Sequence, residues 1–256
     1  MPQRLIFING KSLVYRTKTA QELYSFQGAV SIAVTVRIIL SALNCSERNF
    51  HRANFQMYFF VYRIMVLTMP EIISTLDLVK HRLSIPIVYN TGGYERTETI
   101  DMLNGYVDVY LPDIKYYSSE MSKRYSNAAD YFEYASKALT TMIKQVGALQ
   151  YNSDGGLIKG TIIRHLVLPK GRHDSIKIME WIAQNTSAED VLVSIMNQYT
   201  PFDFISDEFP ELKRRVTKME YNSVVRRAQE LGINGFTQER TSAADKYVPD
   251  FDLSGL

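Results

Sequence analysis

The chain has 256 residues, 46% of them hydrophobic, 22% charged and 12% aromatic, enough to bury one sizeable core. Lys plus Arg number 29 against 27 for Asp plus Glu, and a net charge of +2 supplies no field that would call for nucleic acid or an anionic membrane. A single cysteine excludes an intramolecular disulfide framework and an all-cysteine metal cage built by one chain, and it makes cytoplasm the default compartment.

Residues 1 to 69 carry many aromatics, few turn signals and little periodicity beyond Ala29 to Ile39. This first part is expected to be atypical and irregular. Two apolar stretches lie in it, Gly28 to Leu43 with Arg37 inside and Met57 to Met69 with Arg63 inside. Both fall short of the ~20 uninterrupted apolar residues that cross a bilayer, and neither has the pattern of a secretory signal.

From Glu71 the pattern becomes regular. Glu71 to Leu83 places Ile72, Ile73, Leu76, Leu78, Val79 and Leu83 largely on one helical face. Ile85 to Tyr89 is a short strand stopped by Asn90-Thr91-Gly92-Gly93, and Thr97 to Leu103 a brief helix. Val107 to Leu111 reads as a strand broken at Pro112, and one long helical stretch runs from about Ser119 to Val146. Thr161 to Leu168 is a strand ended by Pro169-Lys170-Gly171. Asp174 can cap the helix that follows, because its carboxylate can accept from first-turn N–H groups. Val191 to Met196 is another strand, and Thr217 with Glu220 forms a capping-box pair for a last helix closed by Gly232. Residues 241 to 256 read as a weakly structured tail.

Strand and helix alternate, and the strands are near-continuous apolar runs. A parallel sheet buried on both faces explains that, so the expected fold is α/β, a partial TIM-like (β/α) barrel with outer helices, spanning about residues 70–240 of one domain overall.

In such folds ligands bind where the carboxyl ends of the strands converge. Those ends carry Asn90-Thr91-Gly92-Gly93-Tyr94, Asp113 with Lys115, Arg164 inside the third strand with Lys170 after it, and Asn197-Gln198-Tyr199. Amides, a carboxylate, an ammonium and a guanidinium on one rim suit a small polar ligand bearing carboxylate, amine and hydroxyl groups. Asp113 and Lys115 also fit an exposed ion pair worth little. Arg164 must find partners within its apolar strand. His165 alternates to the opposite face and reads as a satisfied core histidine; Tyr116, Tyr117 and Tyr125 read as packing or surface residues. Nothing near Cys45 suggests a depressed pKa.

The runs Ile85 to Tyr116, Tyr125 to Tyr131 (YSNAADY), Ile162 to Ser175 (IIRHLVLPKGRHDS) and Ser194 to Pro201 (SIMNQYTP) resemble, in order, the radical S-adenosylmethionine proteins related to pyruvate formate-lyase activating enzyme. The resemblance implies a partial barrel holding a 4Fe–4S cluster and S-adenosylmethionine. The reduced cluster would cleave the cosubstrate to methionine and a deoxyadenosyl radical that abstracts hydrogen from a glycine of a partner enzyme, with a flavodoxin- or ferredoxin-like electron donor. By similarity, Asn90 and Thr91 would lie against S-adenosylmethionine, and Asp113 and Lys115 would meet its amino acid portion and ribose. Arg164 would approach its carboxylate or ribose, and Asn197 would line the adenine side. Lys170 stands where the family commonly has a glycine.

The family anchors its cluster with Cys-x3-Cys-x2-Cys, whereas this chain has only Cys45, so the sequence as written predicts a cluster-deficient protein in which activity is doubtful. Codons for Ala-Val written GCT-GTN contain TGT in a neighbouring frame. Ala29-Val30 and Ala33-Val34 can therefore spell Cys-x3-Cys, and Thr35-Val36 a third cysteine one position too early. A frame error over much of residues 1–69 and ordinary divergence are the two explanations. The alternatives in function are a non-redox βα-barrel enzyme acting on a small anion and a non-catalytic remnant that still binds the cosubstrate or a partner protein.

Overall fold

The computed structural model describes residues 6–9, 58–60, 65–83, 86–153, 155–201 and 205–237. Cys45, the Gly28 to Leu43 stretch with its Ala29–Ile39 run, and the expected tail lie outside them. The elements in chain order are β1 (Ile6–Asn9), β2 (Tyr58–Phe60), α1 (Met65–Val79), β3 (Ile87–Thr91), α2 (Thr97–Met102), β4 (Val109–Pro112), α3 (Ser119–Ser126), α4 (Tyr131–Val146), β5 (Gln150–Tyr151), β6 (Leu157–Leu166), α5 (Arg172–Asn185), β7 (Val191–Met196), α6 (Lys218–Glu230) and β8 (Gly235–Thr237). No helix among them is long and apolar enough to cross a membrane.

The strands form an eight-stranded sheet in the order β2-β1-β3-β4-β6-β7-β8, all parallel, with β5 antiparallel to β6. Chain order is kept from β3 onward and inverted at β1 and β2. Each crossover from β3 steps in the same direction, so right-handed connections bring the helices to one face, as in a partial barrel. Two apolar clusters fill that face. One joins α1, α2 and α4 to Ile87, Tyr89 and Tyr110; the other joins α4, α5 and α6 to Ile163, Val191, Val193 and Ile195. The α/β partial barrel expected from the alternation is the observed fold.

The two faces are not buried alike. β3 is buried along its whole length, but β6 and β7 alternate, with Ile162, Arg164, Leu166, Leu192 and Ser194 only half-buried opposite the helices. Burial on both faces therefore holds for β3 and fails for β6 and β7.

Several boundaries differ from expectation for local reasons. α1 begins at Met65 and carries Pro70 inside it, so the apolar stretch to Met69 ends as helix; Leu78, expected on the packed face, is 65% exposed. The long stretch from Ser119 is two helices, because Asn127 takes a left-handed φ of 52° and closes α3, a conformation asparagine tolerates. Pro112 pairs with Thr91 at the end of β4 instead of breaking it. The capping box of Thr217 and Glu220 forms as expected. Asp174 does not cap its own helix; its carboxylate accepts from the N–H groups of Tyr117 at 2.8 Å and Ser118 at 2.7 Å, tying the β4–α3 loop to α5.

Candidate functional site

Strand register places the site. Side chains alternate across a strand, and laterally paired residues of a parallel sheet share a face. Asp113 pairs with Arg164 and Arg164 with Ser194, in the row beyond Asn90. This row lies on the face away from the helices, where Ile162 and Leu166 flank Arg164 along β6.

Arg164 gathers the row. Its Nη2 donates to Asn90 Oδ1 at 2.7 Å and lies 2.6 Å from Asp113 Oδ1, to which Nε also donates at 2.9 Å. The need for partners read from the sequence is met by these two side chains, each from a different strand end. Lys115 Nζ stands 3.9 Å from Asp113 Oδ2. The side chains of Arg164, Asp113 and Lys115 are 27%, 18% and 26% exposed, so the pair is no solvated surface bridge. Burial pushes the Lys115 ammonium below its ordinary pKa; Asp113 pulls it back up, and Arg164 adds a smaller downward push. The three charges sum to +1, a local excess suited to an anionic group.

The remaining expected site residues separate. Thr91 is fully buried and faces the helix side, where its hydroxyl donates to Glu95 Oε1 at 2.6 Å and accepts from the Gly93 N–H at 3.2 Å. It shapes the loop behind the row and is not brought beside Asn90's partners. Asn197 follows β7 half-buried, and no hydrogen bond among the described residues joins it to Arg164 or Asp113. Lys170 adopts φ 60°, the left-handed region favourable to glycine; its N–H donates to Glu220 Oε1 at 2.8 Å, which fixes the loop after β6 to the start of α6.

His165 is buried on the helix face as expected, with Nδ1 2.6 Å from Ile114 O, but its Nε2 has no hydrogen-bond partner among the described residues, so it is only half satisfied. Tyr116 packs in the core, Tyr125 donates to Glu211 at 2.7 Å and Tyr117 lies against Phe132. Sequence reasoning missed Glu95, whose carboxyl is held above its usual range by burial, and Tyr131, whose hydroxyl meets both rim loops. Tyr131 ends the YSNAADY run, the one signal that could have singled it out. Among the described residues no group of three or more His, Cys, Asp or Glu side chains could hold a metal ion.

No family model matches the chain. An uncharacterized protein of Methanocaldococcus jannaschii is 29% identical over 167 residues, covering 64% of this chain and 44% of that protein, so the chain spans less than half the length of this curated relative. Among solved structures, a domain of a pyruvate-formate lyase-activating enzyme from Bacteroides vulgatus shares 13% identity at a TM-score of 0.49, over 68% of this chain and 93% of that one.

Proposed function

We propose that the chain is a radical S-adenosylmethionine protein by ancestry, related to the glycyl-radical activating enzymes, and that the open face of its sheet holds S-adenosylmethionine without an intact cluster. The observation that carries the reading is the convergence of Asn90, Asp113, Lys115 and Arg164 at three strand ends, four of the six residues singled out by the ordered motif resemblance, Thr91 and Asn197 being the others.

The donor set fits the cosubstrate. Arg164 and Lys115 offer donors to a carboxylate, and Asp113 can accept from an ammonium or a ribose hydroxyl. When bound, S-adenosylmethionine supplies a sulfonium-activated adenosyl group. The protein's own part is to orient its polar ends on a half-buried face that restricts water. The donor set does not fit the cluster: three irons need thiolates and the chain has one cysteine. No radical step follows from these residues; a glycyl-radical partner and an electron donor belong to the proposal through the resemblance alone, and a cytoplasmic location through the low cysteine count.

A second reading rests on the same excess positive charge: a non-redox site for a small anion. Calorimetric titration separates the two. Binding of S-adenosylmethionine without iron, abolished in Lys115→Ala, supports the first reading; binding of phosphate or a simple carboxylate, with none of the cosubstrate, replaces it with the second. Anaerobic incubation with iron and sulfide is expected to leave no brown absorbance near ~400 nm, and a normal cluster spectrum would contradict the thiolate count.

A further inference from the structure

We infer that Tyr131 is a positioning residue for the polar row, its hydroxyl setting the separation between the loop that follows Asn90's strand at Gly92 and the loop that carries the Asp113–Lys115 pair. The inference rests on the reading of that row as the ligand site, but its geometry stands without any ligand.

Tyr131 opens α4 on the helix side of the sheet, so it reaches the row from behind. Its oxygen lies 2.9 Å from Gly92 O, 3.0 Å from Asp113 O and 3.0 Å from Lys115 N. The Lys115 N–H donates to the phenol, and the single phenol proton is offered to the two carbonyls, one in each loop. One buried atom thus joins the loop after β3 to the loop after β4.

The loops meet closely at this point. Gly93 has φ +81°, and a Cβ there would stand 2.0 Å from Asp113 O and 3.2 Å from the Tyr131 hydroxyl, so no side chain fits between them. The ring itself is held by Tyr94, stacked at 5.8 Å, and by Tyr116, edge-on at 5.5 Å. Ring packing keeps the oxygen in place, and the oxygen keeps the loops in register. Burial holds the phenol protonated far above neutral pH, so donor and acceptor roles stay constant over the working range.

A ring that merely fills space would be served equally by phenylalanine. The test compares Tyr131→Phe with the native full chain by the NMR resonance of the Lys115 amine, assigned through its loss in Lys115→Arg, and by titration with S-adenosylmethionine. The expected result is a displaced Lys115 resonance with the other lysines unmoved, and affinity weakened roughly five- to thirtyfold, the factor that one or two kcal/mol produces. Tyr94→Phe, which removes a hydroxyl bound to Asp130 in the same stack, is expected to leave Lys115 unmoved. An unchanged Lys115 resonance in Tyr131→Phe overturns the inference. A native chain that binds no cosubstrate overturns the functional reading instead, because the resonance still reports the positioning. If Tyr131→Phe does not fold, a ring-fluorinated tyrosine at position 131 keeps ring and oxygen while changing donor strength; Lys115 is then expected to shift, and a fixed resonance again overturns the inference.

Discussion

The two faces of the sheet are built from the same strands and differ in burial and chemistry. On the helix side, Tyr89, Tyr110, Ile163, Val193 and Ile195 are buried against five helices, and the polar groups among them serve the fold. On the other side, Asp113, Arg164 and Ser194 form a half-buried row next to the buried Asn90. In the proposed reading, alternation within a strand separates packing from ligand contact: His165 faces the helices and its neighbour Arg164 the proposed ligand side.

That separation can be broken by substitution. Leu139→Ala, in the fully buried part of α4, is expected to cost about 2–5 kcal/mol in urea unfolding while leaving binding per folded molecule intact, because the lost contacts lie behind the sheet. Arg164→Met should show the reverse emphasis. It leaves Asp113 and Asn90 without their shared donor at a cost of about 1–3 kcal/mol, yet calorimetry should find cosubstrate binding lost. Equal effects of both changes on binding would dissolve the division of labour.

Acid tests the helix face through His165. Burial holds the His165 pKa below its ordinary 6.5, against the opposing Ile114 carbonyl and the more distant Asp174 and Asp113. The folded imidazole stays neutral where the unfolded one takes a proton, so stability is complete above about pH 6.5 and declines as pH falls below it, by up to about 1.4 kcal/mol per pH unit. Unfolding curves at pH 7.5 and 5.5 should differ less in His165→Gln than in the native chain, after subtraction of the carboxylate contribution common to both. The smallest effect belongs to the loop between the faces. Lys170→Gly relieves a left-handed side-chain conformation and should raise stability by no more than about 1 kcal/mol, read as a small rise in the melting midpoint.

Much of this arrangement follows from local signals in the chain. Apolar runs at Val191 to Met196 and the Thr217–Glu220 box fix a strand and a helix start, because each depends on neighbours a few residues away. Arg164 stood out because an arginine between apolar residues must be paired. The direction of Thr91 was not legible, since the strand continues through it and alternation turns its side chain to the face opposite Asn90. The contacts of Tyr131 with the two rim loops and the Asp174 tie to Tyr117 could not be read, because the partners are brought close only by the fold. β5 and β8 are two and three residues long, too short to show a period. Under the proposed ancestry, the coding nucleotides decide between a frame error and ordinary divergence over residues 1–69: codons at Ala29-Val30, Ala33-Val34 and Thr35-Val36 that cannot spell cysteine in another frame exclude a frame error.

The most direct measurement is amide hydrogen exchange of the full chain with and without S-adenosylmethionine. Slowed exchange confined to the ends of β3, β4 and β6, with α4, α5 and α6 unaltered, is the expected result. Protection on the helix side, or none at saturating cosubstrate, would contradict a ligand site on the open face.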